Sequence, residues 1–235
     1  MAFQALLEND LKSMVSSWGV RIWLGLAALL AIVSLPVALS ERPGAQALAE
    51  VLGTYPLIWS TFAIVLSAGA VSSETGVVAD SILSKAVTRY EYIVAKLASR
   101  LVTVLGVYLL VAIPSAYLTY RYGTGPLSTS GIVWGVLLIG LNMVLLTSLS
   151  VTFSTLFSRT LVAVMGAWFL WYMAGGIFAV LEIEHLSPLH LVENLPAILQ
   201  GDYAEVDRWQ ILVMFSLVSA AVTGVAVLHF GRKDL

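Results

Sequence analysis

Few side chains in this sequence can do acid–base or metal chemistry, and two of its three histidines stand with acids in "EIEHLSPLHLVENLPAILQGDYAEVDRW". This stretch holds Glu182, Glu184, His185, His190 and Glu193. His190 and Glu193 stand three apart, which puts an imidazole and a carboxylate on one face of a helical turn, a spacing compatible with a metal ion. Two histidines in a polar connection are more ordinarily solvated, and no metal site is expected. With no cysteine in the chain, thiolate ligands and disulfides are excluded. Ser187 before Pro188 reads as a cap and first helical residue. Leu191, Leu195 and Leu199 then recur at four, predicting a short interfacial or re-entrant helix that ends at Gly201.

Elsewhere the reactive groups are sparser. Asn142 is the one strongly polar amide inside an apolar run and needs a partner there. An interhelix hydrogen bond is the expected role, with a substrate contact as the alternative. Trp168, Phe169, Trp171 and Tyr172 crowd a later run, either as core packing or as a lining for an apolar substrate. Intramembrane catalysis needs paired acids, a Ser–His pair or metal ligands at depth. The apolar runs contain no acid and no histidine except His229 at a rim, so the chain is not read as an enzyme. Proton-coupled transport is disfavoured on the same ground.

The elements that position these residues follow from composition. Of 235 residues, 59% are hydrophobic and 11% charged, against roughly 25% charged in a soluble domain. Most of the surface must therefore face lipid. A net charge of −2 gives no reason to expect nucleic acid as a partner. Uncharged gaps run from Arg21 to Glu41, Glu50 to Glu74, Arg100 to Arg121, Arg121 to Arg159, Arg159 to Glu182 and Arg208 to Arg232. At 1.5 Å per residue, a helix of about 20 residues crosses a hydrocarbon core of about 30 Å. Six spans are predicted, at about 20–40, 51–72, 98–120, 131–157, 161–181 and 209–230, in one all-α membrane domain. A cleaved signal peptide is disfavoured because the first run exceeds a signal h-region. With both termini on one side, nine Lys and Arg fall on that side and three on the other. Both termini are therefore expected in the cytoplasm of a multi-pass cell-membrane protein, inner or plasma.

Two further segments carry the functional reading. Residues 1–18 place Phe3, Leu7, Leu11, Met14 and Trp18 on one face and Gln4, Glu8, Lys12, Ser13 and Ser16 on the other. This predicts an amphipathic helix lying in the headgroup layer, with a bend at Gly19. Residues 73–97 form the largest cytoplasmic feature between spans. "SSETGVVADSILSKAVTRYEYIVAKLASR" holds seven charged residues. Thr88 with Glu91 three residues on has the capping-box spacing and starts a helix that runs into span three. Lys96 and Arg100, four apart, are placed for lipid phosphates. Gly131 with Gly135, and Ala220 with Gly224, have the spacing of close helix contacts, within the chain or between copies.

This segment resembles the one that follows the second span in permease subunits of ATP-binding cassette (ABC) exporters of the type-two class. Glu74 and Gly76 match the usual acidic and glycine positions. Val87, Thr88 and Arg89 match a Val-Ser-Arg element, and Lys96 matches the lysine that enters span three. Ala86 stands where proline is usual and Ala95 where glycine is usual. The resemblance extends to the N-terminal helix, the six spans, the long outer connection and the "FGRKDL" tail. It implies a permease that dimerises with a second permease subunit, identical or different. It implies docking on two copies of a separate ABC ATP-binding subunit through Glu74, Thr75, Gly76, Asp80, Lys85, Arg89 and Glu91. ATP and Mg would be bound by that partner, not by this chain, which lacks a Walker-type "GxxxxGK[ST]". A path lined by Asn142, Trp168, Trp171 and Tyr172, and an outer gate built from His185, Pro188, His190 and Glu193 within residues 182–208, complete the implied arrangement. A non-transporting membrane anchor or mechanical-coupling subunit of a larger complex is the competing reading. The sequence does not name the cargo.

Overall fold

The computed structural model describes residues 2–73, 88–181 and 187–232. Every regular element among them is helical, and six helices are long and apolar enough to cross a bilayer. The fold is that of an all-helical multi-pass membrane protein. The elements are α1 (Ala2–Ser16), α2 (Trp18–Glu41), α3 (Gly44–Thr54), a π turn (Tyr55–Trp59), α4 (Ser60–Ser72), α5 (Arg89–Tyr122), α6 (Thr129–Leu156), α7 (Thr160–Val180), α8 (Pro188–Glu193), α9 (Leu195–Gln200) and α10 (Glu205–Arg232). Six of the candidate site residues, Glu74, Thr75, Gly76, Asp80, Lys85 and His185, lie outside the described residues, as do Glu182 and Glu184.

Successive spans alternate in direction, so α1 and the end of α10 share one end of the bundle, called here the terminal end. The short helices α8 and α9 sit at the other, the loop end. Exposed aromatics mark both ends. Trp18 and Tyr90 lie near the terminal end, and Tyr117, Tyr120, Tyr122 and Trp209 near the loop end, where amphipathic rings settle at a membrane–water boundary.

Span two forms the centre. It combines α3, the π turn and α4, and 61% of its apolar stretch is buried, against 17% for span five and 22% for span six. Pro56 explains the π turn. It has no N–H to continue the α ladder, so the helix widens by one residue at that point. Around it pack Trp23 of α2, Tyr108 of α5, Ile139 and Met143 of α6, and Phe215 of α10, all fully buried. The Tyr55 and Tyr108 rings meet edge to face at 4.8 Å. On α2, by contrast, the buried residues Val20, Trp23, Ala27, Ala31, Leu35 and Ala38 form a single stripe. The rest of that helix is left to lipid or to another chain.

Three features depart from the sequence reading. Span two begins at Gly44, not near residue 51. Glu50 does not end it, because the half-exposed carboxylate pairs with Arg42 at the loop end. The bend after the N-terminal helix falls at Ser17, not Gly19. Ser17 leaves helical geometry at ψ 139° and caps α2 by accepting from the Val20 N–H. Residues 2–16 also do not simply lie on lipid: α1 packs along the start of α5, with Leu6 part-buried and Asp10 and Met14 buried.

At the loop end, Ser187 caps α8 by accepting from the His190 N–H at 3.0 Å, and Pro188 is the first helical residue. Asn194 separates α8 from α9, which ends at Gly201 with φ of 90°. Leu191, Leu195 and Leu199 face the bundle and are fully buried. The Gly131–Gly135 pair serves this contact within the chain. A Cβ on Gly131 would lie 2.4 Å from the Ile198 carbonyl oxygen, and one on Gly135 2.8 Å from Leu199. By contrast, Gly224 has nothing within 4 Å of such a Cβ, and Ala220 is exposed, so that pair makes no contact of this kind. Gly131→Val should therefore push α9 off α6 at a cost of about 1–3 kcal/mol. Thermal unfolding in detergent and protease sensitivity at residues 187–201 should both register it, whereas Gly224→Val should change neither.

Candidate functional site

The described chain stops at Ser73 and resumes at Thr88, and both of these roots are pinned. At the first root, the Ser154 hydroxyl of α6 accepts from the Val71 and Ser72 N–H groups at 2.9 Å each. The Ser72 hydroxyl donates to the Ala68 carbonyl and lies 2.9 Å from Thr160 of α7. Span two therefore ends tied to spans four and five. At the second root, Thr88 and Glu91 form the capping box. Glu91 N–H donates to the Thr88 hydroxyl, and the Thr88 N–H and hydroxyl donate to the Glu91 carboxylate at 2.9 Å. These Thr88 donors hold the Glu91 carboxyl below its ordinary value. Next along α5, Tyr92 is buried against Phe230 of α10, with ring centroids 5.6 Å apart. Tyr90 also closes on Gly231, where a Cβ would lie 2.7 Å from the tyrosine ring.

The strongest tie at this root comes from α1. Lys96 Nζ donates to Asp10 Oδ1 at 2.7 Å, Arg100 Nη1 donates to Oδ2 at 3.1 Å, and the Ser99 hydroxyl donates to Oδ2. Lys96, Arg100 and Asp10 are each at most 7% exposed, and Ser99 is fully buried. Lys96 also stands 5.6 Å from the Tyr92 ring centroid. Expected to meet lipid phosphates, the two cations are instead buried on an internal carboxylate. Burial opposes ionisation of Asp10. The Arg100 charge, with hydrogen bonds from Lys96 and Ser99 and the Lys96 charge, outweighs it and holds the carboxyl below its ordinary value.

A second set of candidate residues gathers around the π turn. Backbone carbonyls in hydrocarbon need donors inside the protein, and two of the π turn have donors on α7. Trp171 Nε1 donates to the Pro56 carbonyl at 3.1 Å, and the Tyr172 hydroxyl donates to that of Leu57 at 2.6 Å. Tyr172 also sits 2.9 Å from the Ser60 hydroxyl, and Trp168 packs on it at 4.6 Å. A cavity of about 130 Å³ is bounded by Pro56, Leu57, Trp171, Tyr172, Gly175, Pro188 and Leu189. It joins residues proposed for the path to one proposed for the gate. His190 is half-buried and Glu193 exposed. Among the described residues no group of three or more His, Cys, Asp or Glu stands ready for a metal.

Asn142 does not make the interhelix bond expected of it. It is fully buried, and neither amide atom has a hydrogen-bond partner. Its depth can be placed by counting. Ser72, Ser154 and Thr160 meet at the first root, and Ser60, Asn142 and Tyr172 each lie twelve residues from that tie along their own helices. At 1.5 Å per residue all three are about 18 Å away from it. Asn142 thus shares the level of the π turn without bonding to it.

Asp10 is the functional residue that the sequence pattern left unread. Its signal is positional: it lies three residues after Leu7 and four before Met14, in the middle of an apolar stripe. An acid there requires a buried cation, and Lys96 and Arg100, four apart on one helix, supply two. Ser99, Ser154 and Thr160 gave no comparable signal, being small polar residues among many.

No protein-family model matches the chain in a scan, and no curated protein matches it.

Removing one partner from a buried ion cluster leaves uncompensated charge, so Asp10→Ala should cost about 3–5 kcal/mol and free α1 from α5. The carboxyl is depressed in the folded state, so its contribution is complete at neutral pH and disappears as pH falls through the folded value, below the ordinary 3.8. Hydrogen exchange across residues 2–16 should rise in wild type only in that acid range, and already at pH 7 in Asp10→Asn. Equal protection in the variant and wild type at pH 7 would show that the cluster does not hold the helix.

Proposed function

We propose that this chain is the membrane-spanning permease subunit of a type-two ABC exporter, working as a dimer and driven by separate ATP-binding subunits. One observation carries the reading: the segment that resembles the exporter docking element is rooted at both ends in ties that reach α1 and spans two to six. A docking element transmits force only if its roots do not yield. Ser154 and Thr160 hold one root, and the capping box, the Tyr92–Phe230 stack and the Asp10 cluster hold the other.

On this reading Glu74, Thr75, Gly76, Asp80, Lys85, Arg89 and Glu91 carry the contact with the ATP-binding subunit. ATP and Mg bind in that partner. Closure of two such subunits drives the roots, and α1 moves with span three because Asp10 links them. Two permeases form the path between them, with the exposed Trp168 and Tyr172 at its mid-depth layer and the buried Trp171 and Asn142 at the same level inside the chain. His185, Pro188, His190 and Glu193 act as the gate above it. Two features support this placement: the Trp171–Tyr172 contacts with the π turn, and the cavity that reaches Pro188.

The test is co-expression with candidate ABC ATP-binding subunits, comparing wild type with Glu74→Arg/Arg89→Glu. The double variant should lose co-purification of the ATP-binding subunit, or keep it while ATP hydrolysis no longer depends on the permease. Loss of at least tenfold in coupled hydrolysis is expected. Unchanged assembly together with unchanged hydrolysis would defeat the reading. A complex that assembles and hydrolyses ATP but moves no solute would instead identify a membrane anchor.

A further inference from the structure

Arg208 has more hydrogen-bonding capacity than the loop end of the bundle uses. It lies in the first turn of α10, is 6% exposed, and holds its guanidinium 5.5 Å over the Trp134 ring. Its Nε is buried with no hydrogen-bond partner. The carboxylate of Glu205 stands 3.7 Å from Nη2, beyond hydrogen-bond reach, on a side chain that is 86% exposed. A buried cation left this incompletely matched calls for an acceptor from outside the chain.

The level and the surroundings identify that acceptor. Trp134 and Trp209 meet edge to face at 5.2 Å, and Trp209 is exposed, as are Tyr120 and Tyr122 nearby in the bundle's loop end. Arg208 thus sits in the aromatic belt where lipid headgroups lie. Leu212 and Ser216 follow it at four-residue steps on the same face of α10. Both line an apolar groove of about 670 Å³ between α5, α6 and α10, within the range of small-molecule sites, about 300–1,000 Å³. The groove's walls come mainly from the loop-end halves of all three helices, so it lies in one leaflet, reached along α10 one turn after Arg208 at Leu212. Its floor is Tyr108, fixed by donation of its hydroxyl to the Val136 carbonyl at 2.8 Å, with Gly140 leaving room beside the ring.

We propose that this is a site for one zwitterionic phospholipid of the leaflet at the loop end. The phosphate accepts from Arg208, the headgroup ammonium reaches the exposed Glu205 carboxylate, and an acyl chain fills the groove. Charge complementarity selects the headgroup, because a cation and an anion side by side match a phosphate and an ammonium. An anionic headgroup would meet Glu205 unfavourably. The site depends only on the membrane-spanning fold, not on the transport reading.

Native mass spectrometry of the purified chain, after exchange into detergent with phosphatidylethanolamine or phosphatidylglycerol added, tests the site. Wild type should retain one phosphatidylethanolamine per chain in preference to phosphatidylglycerol. Arg208→Gln should weaken retention about tenfold, a size expected from losing a charge-assisted hydrogen bond. Val133→Trp, which fills the groove and leaves Arg208 in place, should weaken it as much. Glu205→Gln should remove the headgroup preference while keeping the lipid. Glycerophosphoethanolamine, the headgroup without chains, should not displace the lipid. Retention unchanged in both Arg208→Gln and Val133→Trp would overturn the proposal, as would wild type favouring phosphatidylglycerol. Should Arg208→Gln fail to fold, Val133→Trp decides alone, since Val133 is 62% exposed and supports no core.

Discussion

A carboxylate buried with two cations at the edge of a membrane is the contact on which the terminal end of this molecule is built. Asp10 joins the N-terminal helix, which is not one of the six spans, to the helix that forms span three, across 86 residues of sequence. The apolar contacts of α1 would let it slide along α5, since hydrophobic contact is non-directional. Three donors converging on one carboxylate do not allow sliding, because each hydrogen bond fixes a distance and an angle. The cluster therefore sets register. Its burial raises the cost of breaking it, because either half left alone is a charge without water. Such a contact holds a helix in one position or releases it altogether.

Satisfaction of the backbone imposes the same discipline deeper in the bundle. A carbonyl freed inside hydrocarbon must find a donor in the protein. At the π turn the Pro56 and Leu57 carbonyls accept from Trp171 and Tyr172 of span five. This explains why a helix that is only 17% buried still carries two large polar-tipped aromatics on its inner side. Their chemistry was visible in the sequence, but the reason for it was not, because the carbonyls they serve lie 115 residues away on another helix. Asn142, at the same level with both amide atoms unmatched, departs from this rule. Its unmatched amide would gain from a polar group supplied from outside the chain.

What the sequence made legible was whatever is local or periodic. Uncharged gaps fixed the six spans, because a charge at depth is expensive and its absence over 20 residues is rarely accidental. The Thr88–Glu91 box and the Ser187–Pro188 start could be read because their partners lie three residues away or fewer. The illegible features were tertiary. Asp10 finds Lys96 and Arg100 only after α1 has folded back on α5, so the two cations looked like headgroup ligands. Glu50 looked like the end of a span because its pairing with Arg42 could not be foreseen. Gly131 and Gly135 announced a close helix contact but not its partner, which proved to be a six-residue helix from the loop end.

These contacts differ in kind from one end of the molecule to the other. At the terminal end the ties are ionic or hydrogen-bonded and direction-specific: Asp10 to span three, Ser154 and Thr160 to span two. At the loop end α9 seats on bare glycine backbone, a contact of shape with no charge in it. Between them, span two passes through a π turn, and two of its carbonyls accept from side chains of α7. That is also the level of Asn142 and of the cavity that reaches Pro188. Each of these bonds fixes a distance and an angle, so span five is held to span two at mid-depth as span four is held to it at the first root. A proline placed in an otherwise uninterrupted span thus marks the polar layer at the centre of the bundle, where Ser60, Trp171 and Tyr172 gather.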